Sequence, residues 1–253
     1  MIDTHCHLID PQFKNDFDRV LERALNAGVT KIINAGYDVR TSHAAVEMGK
    51  NTEWLLPAVG IHPNEAAAES MKEMVDIQDI LSHEKVIAIG ETGLDYYRDL
   101  SPRFAQQELF RRHIDIARAN ELPLLIHTRN SIDDAIKLLN EEGCHHGVFH
   151  CFSGTYEQAV IILDMGFYLG FGGVLTFSKR IRGLFKKIPR NRIVLETDAP
   201  FLSPSGHRGK RNEPAYIFET LNTAANILNI VPDHLEDELD ENARMLFALK
   251  NNK

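Results

Sequence analysis

The chain has 253 residues, 43% of them hydrophobic and 25% charged, with a formal net charge of −8 at pH 7. That is the composition of a soluble globular protein with a large core, at a length near the ~250 residues of a single (β/α)8 barrel. The acidic balance excludes a protein that coats nucleic acid by bulk electrostatics, although not an enzyme with a local basic patch.

Apolar runs and amphipathic stretches alternate from one end of the chain to the other. Strand-like runs lie near 1–7, 30–35, 54–61, 86–91, 123–127, 147–151, 167–172 and 193–198, eight in all. Between the first two, Phe17, Val20, Leu21, Ala24 and Leu25 recur at helical spacing and are closed by Gly28. The stretch 103–119 repeats the design, with Phe110, Ile114 and Ala117 on one face. Gly170-Phe171-Gly172-Gly173 ends the seventh run with tight-turn chemistry. One long polar loop, Ser203 to Asn212, follows the eighth, and the tail from Pro232 reads as a closing helix that includes Leu246, Phe247 and Leu249. Strands alternating with helices of this length predict parallel βαβ units. Runs such as 86–91, apolar almost throughout, fit strands buried on both faces. A doubly wound open sheet is the competing architecture, but no Gly-rich fingerprint follows the first strand. The expectation is one domain over 1–253, a single TIM barrel with its site at the C-terminal ends of the strands.

No apolar run approaches the ~18 residues of a membrane span, and the first residues lack the basic and apolar segments of a leader. Cys6, Cys144 and Cys151 are irregularly spaced and suggest no disulfide framework. A cytoplasmic location is expected, with no membrane association and no obligate protein partner.

The chemistry lies where the apolar runs end. His5 and His7 close the first, Glu91 the fourth, His127 the fifth, His150 the sixth and Asp198 the eighth. His5 and His7, two apart, point to the same side of an extended strand. A lone His-x-His pair is weak testimony, and a lone strand-end histidine is more often a core residue bonded to backbone. Six ligand-type residues at the same end of five strands are another matter, because a closed barrel converges those ends on one point. A buried, unpaired carboxylate is expensive, so Glu91 and Asp198 call for cations. Four imidazoles and two carboxylates exceed one tetrahedral metal and suit a pair about 3.5–4 Å apart, with Mg, Mn or Zn among the candidates.

Glu196 is expected to point away from Asp198 and to serve packing or support. Cys6 and Cys151, beside the donor positions, read as small buried fillers. Of the remaining histidines, His43, His83, His113 and His234 fall in helical patterns and His145-His146 precede the sixth strand, all on the surface or behind the site. His62 and His207 lie in loops at the active end, and His62 is placed to reach a substrate oxygen. Arg129, Lys179, Arg180, Arg208, Lys210 and Arg211 cluster in or beside loops after strands five, seven and eight. Solvated loop charge is the usual explanation; their shared end also suits a phosphate clamp.

Seven segments, in order over essentially the whole chain, carry a family resemblance. They are Asp3-Thr4-His5-Cys6-His7, Gly60-Ile61-His62-Pro63, Gly90-Glu91-Thr92-Gly93-Leu94-Asp95-Tyr96, His127-Thr128-Arg129, His150-Cys151-Phe152-Ser153-Gly154, Glu196-Thr197-Asp198-Ala199-Pro200 and Arg208-Gly209-Lys210-Arg211-Asn212-Glu213-Pro214. Together they closely resemble the TatD-type metal-dependent deoxyribonucleases, a branch of the amidohydrolase-like barrels. The resemblance implies hydrolysis of DNA phosphodiester bonds, as a 3′–5′ exonuclease acting on single strands or 3′ ends, through a water activated by two divalent metals. It maps the metal ligands onto His5, His7, Glu91, His127, His150 and Asp198. On this mapping His5, His7 and Asp198 hold one metal, His127 and His150 the other, and Glu91 bridges. Asp198 takes the proton of the attacking water, and His62 stabilises charge on phosphate. Arg129, Lys179 and Arg208 hold the substrate backbone, while Asn212 and Glu213 fix their loop and its contact to sugar or base. The rival readings are a metallohydrolase for a lactone, amide or phosphotriester, and a barrel that binds metal without catalysis.

Overall fold

The computed structural model describes residues 1–67, 70–83 and 85–250. Eight strands alternate with helices: β1 Ile2–Cys6, α1 Phe17–Ala27, β2 Lys31–Ala35, α2 Val39–Gly49, β3 Leu55–Val59, α3 Ser70–His83, β4 Ala88–Asp95, α4 Arg103–Ala119, β5 Leu124–Arg129, α5 Ile132–Glu141, β6 Gly147–Phe149, α6 Tyr156–Asp164, β7 Tyr168–Phe171, α7 Lys179–Phe185, β8 Ile193–Leu195, α8 Ile217–Leu228 and α9 Pro232–Leu246. Every strand pairs in parallel with the next, in chain order. This is the expected (β/α)8 barrel.

The ring closes between its first and last strands. A parallel bridge joins Cys6 to Ala199, with His7 N–H donating to Ala199 O at 2.8 Å and Asp198 N–H to His5 O at 2.9 Å. Side chains reinforce the seam: Thr4 Oγ1 donates to Leu195 O at 2.9 Å, and the Asp3 carboxylate accepts from Thr197 N at 2.9 Å and Oγ1 at 2.6 Å. Burial raises the Asp3 carboxyl to a pKa of about 7 against these hydrogen bonds, which lower it.

Local chemistry sets the helix ends. Gly28, at φ 100°, closes α1 by donating its N–H to Ala24 O and Leu25 O, the left-handed geometry that favours glycine. α2 and α6 open on capping boxes, Asp38 with Thr41 and Thr155 with Gln158, each satisfying amides left over in the first turn. The core is layered. One apolar cluster fills the space between strands and helices. A second takes a residue from every strand, Ile2, Ile33, Ala58, Ala88, Leu125, Val148, Tyr168 and Val194 among them, and joins them to Ala243, Leu246 and Phe247. The tail from Pro232 therefore covers one end of the lumen and leaves the other for the site. Among the described residues, no helix is long and apolar enough to cross a membrane.

Strand boundaries depart from expectation where the backbone turns into the site. β6 ends at Phe149 and β8 at Leu195, so His150 and Asp198 stand just beyond their strands, Asp198 at φ 56°. β4 runs on to Asp95 through a register shift between Ile89 and Thr92. Gly93, at φ 133°, sits so close to His127 O that a Cβ there would collide with it, and this close approach is what brings β4 against β5 at the site.

Candidate active site

At the C-terminal mouth the structure brings His5, His7, His62, Glu91, His127, His150 and Asp198 around one centre. Glu91 is its hub. Oε2 faces His7 Nε2 at 3.2 Å and His5 Nε2 at 3.6 Å. Oε1 faces His127 Nδ1 at 2.8 Å, His150 Nε2 at 2.9 Å and His62 Nε2 at 3.5 Å. Asp198 Oδ1 completes the first side, 3.6 Å from His7 Nε2 and 3.7 Å from His5 Nε2. The two oxygens of one carboxylate thus address two donor sets. Burial works to raise both carboxyl pKa values, but the histidines around them hold Glu91 well below the usual carboxylate range and lower Asp198 too.

A divalent metal fits this arrangement, judged by the far side of His7, His127 and His150, the last two faced by carboxylates just beyond hydrogen-bond reach, while His5 Nδ1 is buried without a partner. A ligating imidazole gives one nitrogen to the cation and its other N–H to a carbonyl or carboxylate. His7 Nδ1 lies 2.8 Å from Ala35 O. His127 Nε2 lies 3.5 Å from Asp95 Oδ2, and His150 Nδ1 lies 3.6 Å from Glu196 Oε1. The inward nitrogens crowd one another: His5 Nε2 is 3.1 Å from His7 Nε2, and His127 Nδ1 is 3.2 Å from His150 Nε2. Three donor groups, His5–His150–Asp198, His5–His7–Glu91 and His62–Glu91–His127, have atoms close enough to share an ion.

His62 differs from the other four. Its Nδ1 accepts the Asn64 N–H at 3.1 Å, so its proton sits on Nε2, the nitrogen aimed at the centre. It is built to donate. Burial lowers its pKa to about 3, which keeps the ring neutral.

The outer residues are distributed differently from expectation. Arg129 lines the cleft, with its guanidinium 3.8 Å over the Tyr97 ring. Lys179 is exposed at the start of α7 and does not line the cleft. Arg208 is exposed and lies 4.1 Å over Phe177. Arg180 donates to Ser153 O and Gly154 O. Arg211 is bound to Asp16 and Glu213. Asn212 and Glu213, expected to fix their loop and its contact to sugar or base, are buried behind the loop. Asn212 Nδ2 donates to Thr197 O and Phe201 O, and Glu213 takes Arg23 as well as Arg211. These bonds within the chain hold the loop in shape, the part of the expectation that the structure bears on.

The structure adds Asp95 and Arg98 to the expected site and places Glu196 in support of it. Asp95 is four residues beyond Glu91, on the same face of an extended strand, and continuing that strand would have found it. Arg98, also lining the cleft, follows in the same loop. Glu196 does point away from Asp198 and stands behind His150, as expected, but not by strand alternation, since residues two apart share a strand face. The turn after β8 is what separates them, sending Asp198 to His5 and His7 and Glu196 behind His150. Glu196 is fully buried, and Gly170 is what leaves room for its carboxylate. His113 is also fully buried, and its Nε2 accepts the Ile61 N–H at 3.0 Å.

The sequence profile of the family described as "TatD related DNase" matches residues 2–248. The chain belongs to the TatD family. Among relatives, the chain is 39% identical to YabD of Bacillus subtilis, described as an uncharacterized metal-dependent hydrolase, over 98% of this chain and 99% of that one. It is 32% identical to the "3'-5' ssDNA/RNA exonuclease TatD" of Rahnella sp., over 98% of each. Among solved structures, the Escherichia coli TatD homolog YjjV superposes with a TM-score of 0.92 at 29% identity, over 99% of this chain and 98% of that one. This TatD-family protein is therefore a metal-dependent hydrolase of the nuclease type.

Proposed function

We propose that this TatD-family enzyme shortens single-stranded DNA from its 3′ end, with two divalent cations in the donor cluster, in the cytoplasm. The observation that carries the reading is Glu91, with one oxygen turned to His5 and His7 and the other to His127 and His150. His5, His7 and Asp198 would hold one cation and His127 and His150 the other, with Glu91 serving both; Mg, Mn and Zn all suit such imidazole and carboxylate donors. Cations held there would acidify the attacking water and draw off charge developing on phosphate. Asp198, whose lowered pKa keeps it ionised, accepts that water's proton. His62 offers its Nε2–H to a phosphate oxygen. Arg129 and Arg98, both lining the cleft, hold the phosphate backbone, in place of Lys179 and Arg208, which do not line it. The cytoplasmic assignment is supported by Cys6, Cys144 and Cys151, all free thiols.

The test follows a 5′-labelled single strand with metal-stripped protein, before and after Mg²⁺ or Mn²⁺ is restored, beside Glu91→Ala. Stepwise shortening that requires the metal and Glu91, and that stops at a blocked 3′ end, is the expected result. No cleavage by folded, metal-loaded protein would move the assignment to a small-molecule hydrolase using the same donors.

A further inference from the structure

The donor cluster lies between two walls of opposite character. Strand order follows chain order around the ring, so the loops after β8 and β2 face those after β4 and β5 across the mouth. On the first side Tyr37 and Phe201 flank the His7 ring, with centroids 5.8 and 6.1 Å from it. Leu202 extends that wall, while Arg98 and Arg129 line the other side of the same cleft of about 810 Å³. An occupant matching both walls has a flat apolar part and an anionic part.

Phe201 and Leu202 are 47% and 40% exposed, and their backbone is pinned rather than loose. Phe201 N–H donates to Asp198 O at 2.8 Å, and Phe201 O accepts from Asn212 Nδ2 at 2.8 Å. Leu202 O packs against Gly173 where a Cβ would have no room. A large apolar surface held rigid at the edge of a polar cleft loses little freedom when a ligand covers it. This also gives the burial of Asn212 its purpose.

We propose that Phe201, Leu202 and Tyr37 form a stacking shelf for an unpaired nucleobase, that of the terminal nucleotide whose phosphodiester bond is broken, with its phosphate turned toward Arg98 and Arg129. The proposal rests on the nuclease reading. Every base has a π-face, so such a shelf tolerates any sequence. It requires the end to be unpaired, because a base stacked there has left its partner.

The test uses two 5′-labelled single strands, one ending in an ordinary 3′ nucleotide and one in an abasic residue, with Mg²⁺ or Mn²⁺ present. Wild type is expected to favour the ordinary end by about tenfold in kcat/KM, the size of one stacked base. Phe201→Ala raises KM for the ordinary end by a similar factor of about ten, less than about twofold for the abasic end, and Phe201→Tyr recovers most of the loss. Fluorescence anisotropy of the ordinary strand in EDTA weakens in parallel for Phe201→Ala. Equal handling of the two ends by wild type, or equal losses at both ends in Phe201→Ala, overturns the shelf and leaves the nuclease reading standing. No cleavage of either strand by wild type overturns the nuclease reading and the shelf with it.

Discussion

His113 should make the protein acid-sensitive in a defined window. Its ring is fully buried in α4, with Nδ1 2.8 Å from Leu109 O and Nε2 accepting from Ile61 N–H at 3.0 Å. Only the neutral ring, protonated at Nδ1, satisfies both contacts. Burial lowers its pKa from 6.5 to about 4, outweighing the Leu109 hydrogen bond. Between those values the unfolded chain binds a proton that the folded protein refuses. The stabilisation is therefore complete above pH 6.5 and is lost as pH falls toward 4. At roughly 1.4 kcal/mol per pH unit, the loss by pH 4 is about 3 kcal/mol. His113→Gln removes the titration and keeps an acceptor near Ile61. Urea unfolding of metal-free wild type and variant in EDTA, at several values from pH 7 to pH 4, should show the wild-type advantage shrinking by about that amount. A constant gap across the series would refute the reasoning. The contact matters for the site because Ile61 immediately precedes His62.

Glu196→Gln and Asp95→Asn should each weaken metal binding about 10- to 100-fold, as expected when the carboxylate behind a ligating imidazole loses its charge; calorimetric titration of the folded variants with Mn²⁺ or Zn²⁺ measures this directly, and unchanged affinity would remove both residues from a supporting role. Glu213→Gln should cost about 2 kcal/mol of stability through its weakened bonds to Arg23 and Arg211, while kcat/KM of the folded variant changes little; a large loss of activity without destabilisation would return Glu213 to the substrate. Burial raises the Glu213 pKa but Arg23 and Arg211 hold it below its ordinary value. Its contribution is thus present above about pH 4.3 and fades below it, a dependence that Glu213→Gln should flatten in thermal unfolding.

The barrel and the inner donors were legible because both obey short-range rules. Apolar runs alternating with helical periods announce parallel βαβ units, and strand ends in such a fold converge, so His5, His127 and Glu91 could be placed together from chain order alone. Asp95 escaped because the apolar run stops at Glu91, while β4 itself continues through a register shift to Asp95, and only extending the strand along the same face brings it in. Charge in loops was the least legible. Arg211 and Arg208 look alike in sequence, yet one is locked to Asp16 and the other lies on Phe177. Such partners are distant in the chain, and only the folded backbone selects them. Exposed Phe201 gave no signal either, since an aromatic in a loop reads equally as core.

The seam between β8 and β1 gives the enzyme a built-in order of assembly. His5 and His7 belong to the first strand and its edge, while Asp198 follows the last, so one side of the donor cluster spans the junction. Nearly the whole polypeptide must be made and wound before those three side chains meet. A half-finished chain therefore lacks His127, His150 and Asp198 and has no complete donor cluster. Once the ring shuts, an ion held by donors from both sides of the junction would act as a clasp, its binding energy adding to the energy of closure. Removing the ion should loosen first the place where the circle was joined last.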